Sequence, residues 1–141
     1  VRHIFSVLMW CGLTTAAVSD PAATDALNAY RAENARAPLA YSMALQSAAE
    51  AHAQDMAAWG FFDHRGSDGS DVGERVLREG YEWCFVAENI AKGQPSLADV
   101  MQAWAGSQGH RRNMLSRQAQ EFALVEVPGR IWVMVLAAPG C

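Results

Sequence analysis

The 141-residue chain lacks the short signatures that would name a reaction at sight. It has no HExxH, no CxxC and no GxSxG, so the zincin helix, the dithiol redox motif and the nucleophile elbow are all excluded. Charge is scarce, at 18% of residues, and its balance is mildly acidic: 11 basic against 15 acidic side chains, a formal net charge of -4. Without a polybasic run there is no electrostatic footprint for DNA, RNA or anionic lipid. The one basic cluster, Arg111-Arg112, reads as a local feature of a histidine-containing block. No repeat, low-complexity tract or internal linker is visible. With 51% hydrophobic residues the chain is not disordered, and its length suits one domain with a real core.

Cysteine is sparse too, and its placement is informative. Cys11 falls in an apolar stretch from Ile4 to Val18, preceded by Arg2 and His3 and followed by the small residues Ala17 and Ser19. This pattern predicts a signal peptide over 1–19, cut between Ser19 and Asp20, in preference to a retained anchor. The stretch is too short and interrupted for a membrane span. Bulky Trp10 before Cys11 argues against a lipoprotein box. Export would leave Cys84 and Cys141, an even pair in an oxidising compartment. A disulfide between them is favoured over two unpaired thiols.

Periodicity predicts helices over Thr24–Ala35 and from the Ser42 cap to Trp59, where Gly60 stops the second. Arg36-Ala37-Pro38 ends the first, because the residue before a proline disfavours the helical region, and Leu39 to Tyr41 reads as extended. Asp71 and Glu74 form a capping-box pattern for a third helix, Val72–Glu79. Tyr81–Ala91 contains a strand with Phe85, Ala87 and Asn89 on one face and Val86, Glu88 and Ile90 on the other. Ser96 and Asp99 suggest another capping box, opening a helix through Ala105. A helical turn at Gly109–Leu115 and two β runs, Glu121–Val127 and Ile131–Ala137, joined by Pro128-Gly129, complete the chain. Helices mixed with antiparallel strands make an α+β domain over 20–141.

Three blocks carry the functional signal: Gly60-Phe61-Phe62-Asp63-His64 with its Gly-rich continuation, Glu88-Asn89-Ile90-Ala91, and Trp104 through Ser107 and Gly109-His110 to Leu115. In this order they resemble the CAP domain of cysteine-rich secretory, antigen 5 and pathogenesis-related 1 proteins, in its bacterial SCP-like form. The resemblance implies a three-layer α-β-α sandwich and a cleft lined by two histidines and two acids. His64, Glu88 and His110 match three of those positions. The fourth falls at Ser107, where the second acid is replaced by a hydroxyl. Two neutral imidazoles and one carboxylate can hold Zn²⁺ with a position left for water, so His64 and His110 are candidate metal ligands. His64, Glu88, Ser107 and His110 are candidate ligand-binding residues.

Blander roles suit the other polar residues. His52 sits mid-helix among Ala and Met, as a packed core histidine would. Glu50 and Asp55 read as solvated helix faces. Arg75 fits a buried carboxylate pair or a surface ion pair equally well. Asn89 and Asn113 read as braces, and Trp104 as a core anchor. Ser107 beside His110 has no Asp to orient the imidazole, which weakens a nucleophile reading. The resulting expectation is a secreted or periplasmic binding domain, its cleft taking a small ligand, a divalent metal or an envelope component. Two alternatives stand beside it: a metal-assisted hydrolase with Glu88 as base, and a structural envelope module with a vestigial cleft.

Overall fold

The computed structural model describes residues 20–141; the predicted signal peptide lies outside the described residues. The elements are α1 (Pro21–Glu33), β1 (Ala40–Tyr41), α2 (Met43–Trp59), α3 (Val72–Arg78), β2 (Trp83–Lys92), α4 (Leu97–Ala105), α5 (Gln108–Met114), β3 (Glu121–Val127) and β4 (Ile131–Pro139). Among the described residues no helix is long and apolar enough to cross a membrane.

The strands form one sheet in the order β1-β3-β4-β2, with β1 parallel to β3 and the other pairs antiparallel. Its two faces bury two cores. On one, Leu45, Ala49, Met56 and Val76 from α2 and α3 meet Val133, Val135 and Ile90. On the other, Leu27, Val100, Trp104 and Met114 from α1, α4 and α5 meet Phe122, Met134 and Leu136. β4 is therefore apolar on both faces, buried from Ile131 to Ala138, as a strand with helices on both sides must be. The arrangement is the expected three-layer α-β-α sandwich.

Local chemistry explains most boundaries. Ser42 caps α2 by accepting from the Leu45 amide, and Gly60, at φ 68°, ends it in the left-handed region open to glycine. The capping box of Asp71 and Glu74 is complete. At α4, Ser96 accepts from the Asp99 amide, but the Asp99 carboxylate takes the Ser96 hydroxyl instead of the backbone N–H, so only half the expected box forms. The predicted start of α1 is three residues late. Asp20 accepts from the amides of Ala22 and Ala23, and Pro21 occupies the first helical position, where its missing N–H costs nothing. The same helix ends two residues early, with Ala35 at φ 53° turning the chain toward Pro38. The predicted turn at 109–115 is a seven-residue helix, α5.

Cys84 and Cys141 form a disulfide, with Cα atoms 5.2 Å apart. It ties the chain end to the bulged start of β2, where the register slips between Trp83 and Phe85. β2 is an edge strand, and the site lies along its free edge.

Candidate functional site

Glu88 projects from β2 toward α2 and α3. Its side chain is 2% exposed, and Arg75 of α3, 7% exposed, donates to its Oε2 at 2.8 Å. Arg75 also donates to the Ser70 carbonyl at 2.8 Å, which fixes the guanidinium in place. The ambiguity over Arg75 is thereby resolved in favour of the buried pair. A buried carboxylate is stable only when paired and hydrogen-bonded, and the other oxygen, Oε1, is also engaged. It lies 2.8 Å from Nδ1 of His64, whose side chain is 59% exposed. Nδ1–H donates to the carboxylate, so Nε2 is the nitrogen of His64 left over from that contact. The contact with Glu88, above all, raises the His64 pKa above its ordinary value.

A third imidazole stands nearby that the sequence left as a core residue. His52 of α2 has Nε2 at 2.8 Å from the Asp63 carbonyl and 3.9 Å from Glu88 Oε1. Bonding a carbonyl makes Nε2 the donor, so neutral His52 carries a bare Nδ1, a buried atom without a partner among the described residues. Burial pushes its pKa down. Through Asp63, His52 positions the loop that carries His64.

The second half of the site comes from α4 and α5, on the other face of the sheet. Ser107 stands at the N-cap position of α5 but makes no capping bond. Its hydroxyl instead lies 2.9 Å from Nδ1 of His110. Burial lowers the His110 pKa, with a further contribution from the charge of His64. Asn89 donates to the His110 carbonyl at 3.1 Å. Asn113 donates to Asn89 Oδ1 at 2.8 Å and to the Glu88 carbonyl at 3.3 Å. Asn89 and Asn113 are thus the braces expected of them. Trp104 is buried, as a core anchor should be, and donates to the Ile90 carbonyl at 3.2 Å.

His64 with Glu88, and His110 with Ser107, therefore form two contacting pairs tied to successive residues of β2. They line two adjoining clefts. The first, ≈ 330 Å³, holds His64, Glu88, Asp63 and Val72. The second, ≈ 490 Å³, holds His110, Ser107, Phe62, Ile90 and Trp104. Phe62 lines the second cleft and its chain neighbour Asp63 lines the first.

The donor set does not fit a zinc centre. Among the described residues no three His, Cys, Asp or Glu side chains gather where they could share an ion. Both oxygens of Glu88, the expected carboxylate ligand, are taken by Arg75 and His64. Ser107, at the place of the second acid, is neutral. That leaves two imidazoles, below the three protein ligands of catalytic zinc and the four of structural zinc. The same geometry gives both oxygens of Glu88, the candidate base, a partner.

The model of the cysteine-rich secretory protein family, CAP, matches residues 24–128. The chain is 33% identical over 106 residues to the uncharacterised protein YkwD of Bacillus subtilis (strain 168), an alignment covering 74% of this chain and 41% of that protein. It thus spans under half of that relative's length. Among solved structures, an extracellular protein containing an SCP domain from Bacillus anthracis superposes with a TM-score of 0.78 at 24% identity, over 82% of this chain and 39% of that one. An outer surface protein of Borrelia burgdorferi gives 0.76 at 16% identity, over 81% of this chain and 87% of that one. At these identities the two structures speak for the fold.

Proposed function

Because the chain belongs to the CAP family of cysteine-rich secretory proteins, we propose that it works outside the cytoplasm as a binding domain whose paired clefts take a small amphipathic ligand. The observation that carries this reading is the state of His64. Its Nδ1 is held by a carboxylate that Arg75 itself holds, while its side chain stays 59% exposed and Nε2 is not engaged in that bond. A ring fixed in this way is a preorganised hydrogen-bonding group and costs little entropy on binding. Protonated, it donates to a carboxylate or carbonyl; neutral, it accepts from a hydroxyl. The adjoining cleft offers Phe62, Ile90 and Trp104 as an apolar bed, with His110 at its polar end. Such a combination of an apolar lining with a few fixed polar groups is what small-molecule sites use.

Export is part of the proposal. The family and the Cys84–Cys141 bond support it, since disulfides persist in oxidising compartments. Native mass spectrometry of protein recovered from its own compartment, followed by NMR titration with any co-purified molecule, tests the whole reading. The expected result is a ligand that shifts the ring signals of both His64 and His110, with binding lost in His64→Ala. A ligand that shifts neither ring would remove the clefts from the function.

One further reading has its own support. The Glu88–His64 pair orients an imidazole as an acid does in carboxylate-oriented general bases, so His64, not Glu88, is the group placed to activate water. Hydrolysis surviving His64→Gln would dispose of it.

A further inference from the structure

A third polar cavity shares no lining residue with the two histidine clefts. From Val100 to Gln120 the chain contains Arg111, Arg112 and Arg117 and no acidic residue. Helix α5 sets Gln108, Arg111 and Arg112 on one face, with Leu115 following at its end. These residues line a cavity of ≈ 460 Å³. Arg36, from the segment after α1, faces them across it, and Phe85 of β2 supplies an aromatic wall. No carboxylate lines the cavity. Among the described residues, the ion pairs involve Arg75, Arg78 and two histidines, and none of these three arginines.

Hydrogen bonds frame the cavity. Arg36 Nε donates to the Leu115 carbonyl at 2.8 Å. Behind it, buried Arg31 donates to the carbonyls of Ala37, Met114 and Ser116 at 2.8, 2.7 and 3.0 Å. A fourth cation therefore stands at this end of the fold with only carbonyl dipoles around it. Burial, and then the charge of Arg36, lowers its pKa. Helix-dipole chemistry alone favours arginine in a last helical turn. That accounts for Arg111 and Arg112. Arg36 is held by the carbonyls of Leu115, Asn34 and Ala35 at 2.8, 3.2 and 3.5 Å; even so, three arginines line one open cavity that no acid lines, in a protein whose net charge is -4.

We propose that this cavity binds a phosphate ester. Guanidinium forks match phosphoryl oxygens in bidentate pairs, and Ser116 and Gln108 add neutral groups to the lining. Phe85 and Leu115 cover the organic part of the ester. The volume lies within the roughly 300–1,000 Å³ of small-molecule sites.

Isothermal titration calorimetry at low ionic strength, on the folded protein, tests this with inorganic phosphate and phenyl phosphate. Phenyl phosphate is expected to bind more tightly, because only it meets Phe85. Arg112→Gln should weaken it about tenfold, the scale of one charge-assisted contact, and raising salt should weaken it further. Arg130→Gln is the control. Arg130 precedes Ile131, which pairs with Lys92, so it lies seven residues along β2 from Phe85, about 23 Å at strand rise. Because Arg36 also bonds Leu115, the Arg111→Gln/Arg112→Gln double variant serves if Arg36→Gln fails to fold. Sedimentation with phosphatidylcholine vesicles carrying phosphatidic acid separates the two sources of the group. Capture that is lost in Arg112→Gln, without binding of the soluble ester, assigns the cavity to a lipid headgroup. Binding of none of these phosphates overturns the proposal, as does equal weakening by Arg112→Gln and Arg130→Gln.

Discussion

Replacing Arg75 with Met tests the central claim about the site, that Glu88 is held by a buried cation. The thioether keeps most of the side-chain stem and removes the charge. Glu88 would keep only His64, 59% exposed, as its close partner, while the pair it loses is 7% and 2% exposed. Solvent screens such a pair little, so the cost of removing one partner should fall in the range of about 3–5 kcal/mol. The exposed His64 contact is worth at most about 1 kcal/mol. With a urea m-value of about 2 kcal/mol/M, Arg75→Met should lower the unfolding midpoint by roughly 2 M, and His64→Ala by under about 0.5 M. The double variant Arg75→Met/Glu88→Met should recover much of the loss, because removing both charges leaves neither uncompensated. Equal, small shifts in Arg75→Met and His64→Ala would refute the lock. So would simple additivity in the double variant.

Histidine ring titrations followed by NMR should place His64 above 6.5 and both His52 and His110 below it. His64 therefore contributes stability that is complete below 6.5 and is lost as pH rises through its folded value. His52 and His110 contribute above 6.5 and lose it as pH falls through theirs, and the reverse order of titration would contradict the geometry. Reducing the Cys84–Cys141 bond, which spans 57 residues, should cost about 4 kcal/mol in the chain-entropy model, read as a fall in urea midpoint under reductant. Gly73→Ala should destabilise by about 1–3 kcal/mol, because its new Cβ would lie 2.6 Å from Trp83 Cζ2; calorimetry that shows no change would mean α3 slides freely on β2. Ser107→Glu should raise zinc affinity above that of the native protein, since it adds a carboxylate beside His110 and sacrifices no cap bond. Equal zinc binding by both proteins in a competition titration would refute the account of the donor set.

The sequence signals that worked are those whose physics is local. Ser42, Gly60, Asp71 with Glu74, and Pro128-Gly129 each act within a few residues of themselves. The periodicity that starts α1 at Thr24 passes over Asp20-Pro21, although Asp followed by Pro is itself a helix-opening signal. What the chain could not disclose locally was pairing over distance. Arg75 and Glu88 are 13 residues apart on different elements, and nothing in either segment says that they meet in the interior. His52 looked like any core histidine, and only the folded backbone brings it within 3.9 Å of Glu88. Arg31 gave no hint that its charge would be met by three carbonyls from two other segments. The likeness to a family supplied three members of the cleft, but not their partners, and those partners change the chemistry.

The edge position of β2 explains why the separate sequence blocks belong together. An edge strand presents unpaired carbonyls that attract other strands unless something covers them. On β2 the carbonyls of Glu88 and Ile90, two residues apart, point the same way. Asn113 donates to the first and Trp104 to the second. The same Asn113 holds Asn89, which holds the His110 carbonyl. The Trp104–Leu115 block therefore closes the free edge behind the Glu-Asn-Ile block and, in doing so, sets His110 beside it. On the opposite face α3 is tied to the side chains of β2, with Trp83 donating to the Gly73 carbonyl and Arg75 to the Glu88 carboxylate. Protection of the edge and construction of the clefts are thus one arrangement. A residue such as Ser107 can change what the clefts hold without loosening the sheet, because its side chain takes no part in closing that edge.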